Sequence, residues 1–116
     1  MAEKLPGGVI SPRIEDGVIY WRYGDAFKLN LMLKLYSAGQ RYDLAEDDVV
    51  TVTFRDSGEY EVYKFSTHVA DNLATIVFDK SISSVFGKGR YTYDIAVELA
   101  DGAVSTIADD NVAVVL

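Results

Sequence analysis

The sequence predicts an all-β fold: an antiparallel, immunoglobulin-like β-sandwich of seven to eight strands with one short helical turn near residues 81–86. Three observations carry this prediction. Apolar and polar residues alternate in run after run, turn-forming residues separate the runs, and no long helical pattern interrupts them. A small β-barrel is the rival fold. The absence of cysteine excludes the disulfide of an antibody-type domain.

The first 16 residues differ from the rest of the chain. They hold both prolines and the Gly7-Gly8 pair, and they show no sustained periodicity. We therefore expect residues 1–16 to form an extended N-terminal arm that orders on a neighbouring subunit, and residues 17–116 to form the β-sandwich domain. The start of the chain lacks the apolar run of a signal peptide, so we expect none.

The alternation is clearest between Phe27 and Leu35. Every second position there is Phe or Leu, so the pattern predicts one long strand with a single buried face, central in its sheet. Further strands are predicted over residues 18–23, 50–55, 61–67, 74–79 and 91–99. Two short runs, residues 103–107 and 111–115, close the chain.

Turn chemistry connects these runs. Asp101-Gly102 predicts a hairpin with a type I′ turn, and Ser57-Gly58 predicts a second hairpin. Ala38-Gly39 and Asp71-Asn72 predict two more turns. Gly24-Asp25 leaves two alternatives open, which are a two-residue hairpin and a bend that carries the chain from one sheet to the other.

One segment departs from the alternation. Apolar residues at positions 82, 85 and 86 have the spacing of a single helical turn. Ser81 can cap this turn, and Gly87 can end it in the left-handed conformation.

The charge balance excludes several classes of partner. The chain has 18 acidic residues against 11 basic ones, a net charge of −7, which opposes binding to nucleic acid and to anionic lipid. No stretch approaches the ~20 apolar residues of a membrane-spanning helix. We therefore expect neither nucleic acid nor a membrane as a partner.

The residues that carry chemistry are few and scattered. His68 is the one histidine, and no nucleophile elbow accompanies it. The carboxylates of residues 46–48 and 109–110 lack the spacing of an EF-hand, and Gly87-Lys88-Gly89 lacks the rest of a phosphate-binding loop. We predict no enzyme, with no catalytic residues, no cofactor and no metal. A calcium site and a glycosidase-type carboxylate pair are the alternatives that the sequence leaves open.

The aromatic residues are the surplus that a core alone does not explain. Tyr20, Trp21 and Tyr23 place rings on both faces of one strand, and Tyr60 and Tyr63 fall on opposite faces of their own segment. Exposed Tyr and Trp favour protein interfaces and sugar stacking, whereas at sheet edges they cover the ends of the core. These five residues are the candidate interaction surface.

Several stretches in this order resemble a known family. They are residues 23–29, 42–44, 49–55, 86–95, 100–102 and 112–115. They are similar to the immunoglobulin-like β-sandwich domains of tailed-phage structural proteins, and among these to the N-terminal domains of baseplate upper proteins. The resemblance covers residues 18–116.

The resemblance implies a non-enzymatic structural module of a phage or prophage virion, in its tail, baseplate or fibre. Such a module is made in the bacterial cytoplasm and acts through contacts with other virion proteins or with copies of itself. The alternative is a β-sandwich module that binds carbohydrate or a cell surface, with a glycan as its partner.

Overall fold

The computed structural model describes residues 10–37, 39–69 and 72–116. Within these residues ten strands and one helix follow one another, so the all-β prediction is confirmed. They are β1 (Arg13–Glu15), β2 (Val18–Trp21), β3 (Phe27–Met32), β4 (Leu35–Ser37), β5 (Gln40–Tyr42), β6 (Val49–Arg55), β7 (Glu61–His68), β8 (Leu73–Phe78), α1 (Lys80–Ser83), β9 (Gly89–Glu98) and β10 (Val104–Val115). The predicted number of seven to eight strands is too low, because β1 and β5 were not expected and the predicted strand from Phe27 to Leu35 is divided.

Six of the strands form one sheet in the order β1-β2-β10-β9-β6-β7. The prediction of a wholly antiparallel arrangement is wrong at one pair, because Ile19–Trp21 run parallel to Ala113–Val115. This pairing joins strands at the two ends of the sequence, and local turn signals cannot reveal it. The two short terminal runs predicted from the sequence are a single strand, β10, whose pairing with β9 shifts register after Thr106 and again after Ala108.

The long strand predicted from Phe27 to Leu35 is divided in the structure. Its first part, β3, pairs with β8 in a two-stranded sheet, and its second part, β4, pairs with the unpredicted β5 in another. The break falls at Leu33 and Lys34, where the Leu33 N–H donates to the carbonyl oxygen of Asn72 at 2.9 Å. The strand is therefore not central, and the alternation continues because Leu33 is buried in the same core.

The core lies between the six-stranded sheet and the β3–β8 pair. Tyr91, Tyr93, Ile95 and Val97 of β9 are buried, whereas the residues between them are partly exposed, as their alternation predicts. Phe27, Leu29, Ala74, Ile76 and Phe78 supply the opposite side. This gives the fold the layered character of a β-sandwich.

The predicted helical turn is present, but its ends differ from the prediction. The N-cap of α1 is Asp79, not Ser81, and its side chain accepts a hydrogen bond from the Ile82 N–H at 2.8 Å. That hydrogen bond and the Ser81 hydroxyl lower the pKa of Asp79. Ser84 ends the helix, and Gly87 is not among the residues with positive φ.

The turns resolve the open alternative. Gly24-Asp25 belongs to a bend that carries the chain from β2 in one sheet to β3 in the other. Both predicted hairpins are present, but at Asp101-Gly102 only the glycine has positive φ, so the turn is not type I′. Ala38 and Asp71, where two further turns were expected, lie outside the described residues.

The described part of the predicted arm lies against its own domain. Arg13–Glu15 pair with Val18–Tyr20 through a turn at Asp16 and Gly17, both of which have positive φ. The Ser11 hydroxyl donates to the Asp25 carboxylate at 2.6 Å. Residues 1–9, the rest of the arm, lie outside the described residues.

Candidate interaction surface

Trp21, one of the five candidate residues, lies in the core instead. Only 1% of it is exposed, and its ring contacts four phenylalanine rings at centroid distances of 5.2 to 6.2 Å. The alternation correctly separated the two faces of β2. It did not reveal which face is covered by the second sheet.

Tyr20 and Tyr63 are partly buried, each by a neighbour. The guanidinium carbon of Arg13 lies 4.4 Å from the ring centroid of Tyr20, at the distance of a cation–π contact. The ring of Tyr63 packs against Phe65 with centroids 4.7 Å apart, at the margin of the core. Tyr20 and Tyr63 therefore pack mainly against other residues of the same domain.

Tyr23 and Tyr60 are the exposed members of the predicted set, at 50% and 75%. Both lie at the same end of the six-stranded sheet. Tyr23 follows β2, whose last residue lies opposite Val115, and Tyr60 precedes β7, which begins opposite Arg55 at the end of β6. Two of the five candidate residues therefore lie exposed at one end of the sheet.

Three further exposed apolar residues lie at this end. The Tyr23 N–H donates to the Leu116 carbonyl at 3.0 Å, and the bond from Ser11 to Asp25 brings Ile10 to the same bend. Val85 lies on the connection that leads from the end of β8 to the start of β9. We call the surface made of these residues the Tyr23 end; it comprises Ile10, Tyr23, Tyr60, Val85 and Leu116.

Ile10, Val85 and Leu116 were not predicted, because an aliphatic residue next to another apolar residue gives no sign in the sequence that it is exposed. A single exposed aliphatic residue is common on protein surfaces, so it gives no signal in the sequence. Only the placement of three separate segments at one end makes them part of a surface.

The hairpin between β6 and β7 positions Tyr60. The Asp56 carboxylate accepts hydrogen bonds from the Gly58 N–H at 2.9 Å and the Tyr60 N–H at 3.1 Å. Glu59 has a φ of 66°, which closes the loop in a conformation that most residues avoid. Gly58, Glu59 and Tyr60 therefore have a defined backbone conformation, and this positions the exposed Tyr60 ring.

A tight bend positions Tyr23. The Asp25 N–H donates to the Arg22 carbonyl at 3.0 Å, and Gly24 has a φ of 83°. The Leu116 N–H in turn donates to the Trp21 carbonyl at 2.8 Å. The ring thus extends from a bend that is tied to both β2 and the end of β10.

The two exposed rings extend from strands that are far apart in the sheet. Four strand spacings separate β2 from β7, and at ~4.8 Å each they place the two strands about 19 Å apart. Rings at such a distance can both contact the surface of one protein.

Two tyrosine hydroxyls close to this end are perturbed by the fold. Burial raises the pKa of Tyr91, and the nearby Asp56 carboxylate raises it further. The Tyr91 hydroxyl donates a hydrogen bond to the Gly87 carbonyl at 2.7 Å. Burial also raises the pKa of Tyr93. The fold therefore favours the neutral form of both phenols.

The other candidate residues have structural partners. His68 is exposed, and its Nδ1 lies 3.1 Å from the Glu46 carbonyl oxygen. Asp48, one of the carboxylates of residues 46–48, is buried and accepts the Ala45 N–H at 2.7 Å and the Ala100 N–H at 3.1 Å. Among the described residues, no group of three or more acidic, His or Cys side chains has the arrangement to hold a metal ion.

A cavity of about 650 Å³ lies at the opposite end of the fold, beside Arg41, Glu46 and Val69. Asn72 closes one side: its side-chain oxygen accepts the Leu44 N–H at 2.7 Å, and its amide group donates to Asp43 at 3.2 Å. The amide of Asn72 is thus engaged in holding two loops together.

No protein-family model matches the chain, and neither a curated protein nor a solved structure matches it. In the part of the chain that the structure describes, no helix is long and apolar enough to cross a membrane.

Proposed function

We propose that this protein is a non-enzymatic assembly module that acts through protein–protein contacts at the Tyr23 end. One observation carries the proposal: exposed apolar side chains from five separate segments gather at a single end of the fold. Tyrosine is enriched at protein interfaces because it offers a large apolar area together with a polar hydroxyl. The backbone hydrogen bonds at Tyr23 and Tyr60 reduce the ordering that binding would require.

We also propose that the domain is an immunoglobulin-like β-sandwich and a structural component of a phage or prophage virion. The resemblance of residues 18–116 to domains of tailed-phage structural proteins supports this proposal. In such a particle the Tyr23 end binds another virion protein or a second copy of this chain. The net charge of −7 favours the solubility of the free chain before assembly.

Purified particles test this function. Phage or prophage particles are induced from the bacterium that encodes the chain, purified by density gradient, and analysed by quantitative mass spectrometry. We expect the chain in a constant ratio to the major capsid protein across the particle fractions. A chain that is expressed in the cells but does not cosediment with particles would contradict the proposal.

A carbohydrate-binding module is the second candidate. It is favoured by Tyr60, whose ring is exposed and whose backbone N–H donates to the Asp56 carboxylate, since sugars stack on aromatic rings and hydrogen-bond to acidic groups. A glycan array probed with the wild-type chain and with Tyr60→Ala separates the two functions. If the wild-type chain binds a specific glycan and Tyr60→Ala abolishes this binding, the result supports sugar binding. If the wild-type chain binds no glycan, the result favours the assembly function.

A further inference from the structure

The first half of β10 has an open edge. β9 pairs with β10 on one side from Val104 to Val115, whereas β2 pairs on the other side only with Ala113–Val115. In the described ranges, therefore, no strand lies beside residues 104–112 on the β2 side. This edge is at the end of the fold opposite to the Tyr23 end.

Two residues direct their main-chain groups outward along this edge. The Leu99 N–H donates to the Ala103 carbonyl at 2.8 Å, so Leu99 and Ala103 are a hydrogen-bonded pair. Hydrogen-bonded and non-hydrogen-bonded pairs alternate in an antiparallel ladder. Ser105 consequently bonds toward β9, and the N–H and C=O groups of Val104 and Thr106 face the open side.

The open edge lacks the charges that usually protect an edge strand. Residues 103–108 contain neither a charged residue nor a proline, although one residue in four of the chain is charged. The outer strands of the same sheet differ, because β1 carries Arg13 and Glu15 and β7 carries Glu61 and Lys64.

Apolar side chains surround the open edge. Val104 is 64% exposed and Ile107 is 37% exposed. A groove of about 160 Å³ lies between β10 and the β4–β5 hairpin, and it is lined by Ile107, Ser105 and the exposed ring of Tyr36 among others. A strand added at this edge would cover these side chains as well as the unpaired main-chain groups.

We propose that this edge pairs with the same edge of a second copy, antiparallel and across a two-fold axis at Ser105. In this register Val104 lies opposite the partner's Thr106, and the reverse pair is equivalent. The N–H and C=O groups of Val104 and Thr106 in each chain are then all hydrogen-bonded to the partner. The pairing does not require any residue beyond the register shift that follows Thr106.

The occupant is a second copy because the segment is complementary to itself. The two-fold axis pairs the outward groups of one chain with the identical groups of the other, and an uncharged edge lets two acidic chains approach each other. Asp101 and Asp109 lie just outside the paired segment, so we expect added salt to strengthen the dimer by screening them. The short paired segment predicts a weak dimer.

The test reverses a charge at the two-fold axis. Ser105 faces the partner's Ser105, so Ser105→Glu and Ser105→Lys each place like charges opposite one another, and an equimolar mixture places opposite charges there. By analytical ultracentrifugation we expect a wild-type dimer and a dissociation constant raised roughly tenfold or more in each variant. We also expect recovery of the dimer in the mixture.

Ser66→Glu and Ser66→Lys are the matched controls, because Ser66 is an exposed serine of β7, an edge strand of the same sheet. We expect both to dimerise like the wild type. Three results would each overturn the pairing. They are a wild type that is monomeric at every concentration, single Ser105 variants that dimerise like the wild type, and a mixture that dimerises no more tightly than either variant alone. The edge is separate from the Tyr23 end, so a monomeric chain that still enters particles would overturn the pairing and leave the proposed function standing.

Discussion

The indole ring of Trp21 stands edge to face against the ring of Phe54, with ring centroids 6.2 Å apart and an interplanar angle of 88°. Trp21 belongs to β2 and Phe54 to β6, and β10 and β9 lie between these strands in the sheet. The two rings therefore meet over the inner face of the sheet. Their contact joins the part of the core formed by the start of the chain to the part formed by its middle.

We expect Trp21→Ala to lower the free energy of unfolding by about 3–5 kcal/mol, because it removes the largest side chain of a closed aromatic cluster. Urea unfolding followed by circular dichroism measures the change. Tyr23→Ala, two residues away and half exposed, is the control and should change stability by less than ~1 kcal/mol. The reverse order of the two effects would place Trp21 at the surface and contradict the fold.

Asp48→Ala should destabilise the protein by roughly 2–3 kcal/mol. It leaves the Ala45 and Ala100 N–H groups without the buried carboxylate that accepts them. The neighbouring Asp47 is exposed, so Asp47→Ala is the matched control and should be nearly neutral. Thermal unfolding of the two variants measures the difference, and equal melting temperatures would show that Asp48 does not hold these loops together.

Glu59→Gly should stabilise the protein by about 0.5–1 kcal/mol. The φ of 66° at Glu59 strains a residue that has a Cβ, whereas glycine adopts this conformation without a clash. Glu61→Gly, at the start of β7, is the control and should be destabilising, because glycine weakens a strand. Denaturant midpoints compare the pair, and a destabilised Glu59→Gly would contradict the described hairpin.

The buried tyrosines should make the fold sensitive to alkali. The pKa of Tyr91 and that of Tyr93 are raised in the folded state, so their contribution to stability is complete below the unfolded value of 10.0 and is lost as the pH rises through the folded values. Tyr93→Phe removes one such group and should retain more of its stability at high pH than the wild type. Phenolate absorbance and circular dichroism during a pH titration measure this, and identical alkaline transitions would refute it.

Local patterns predicted the local features of this fold. The alternation in β6, β8 and β9 identified the buried faces, because a strand places successive side chains on opposite sides. The hairpin at Ser57-Gly58 follows from its turn residues. The predicted N-cap was Ser81 and the observed one is Asp79. Both residue types can cap a helix, so the sequence alone does not decide at which of them the helix begins.

Features that depend on distant parts of the chain could not be predicted in this way. Two such features are the parallel pairing of β2 with β10 and the division of the predicted strand after Met32. Both arise from how the sheets pack, and the local sequence pattern contains no signal for either. The same holds for the candidate surface. Trp21 and Tyr23 share one face of their strand by spacing, yet the core covers the first and the bend after β2 exposes the second.

Particle incorporation of a Tyr23→Ser, Tyr60→Ser double variant is the most direct test of an assembly function at the Tyr23 end. The variant replaces the wild-type gene, and Met32→Ser, an exposed apolar residue outside both the Tyr23 end and the open edge of β10, is the control. We predict that both proteins fold with wild-type melting temperatures, and that the ratio of the double variant to the major capsid protein falls roughly tenfold while the control is unchanged. Normal incorporation of the double variant would contradict the account.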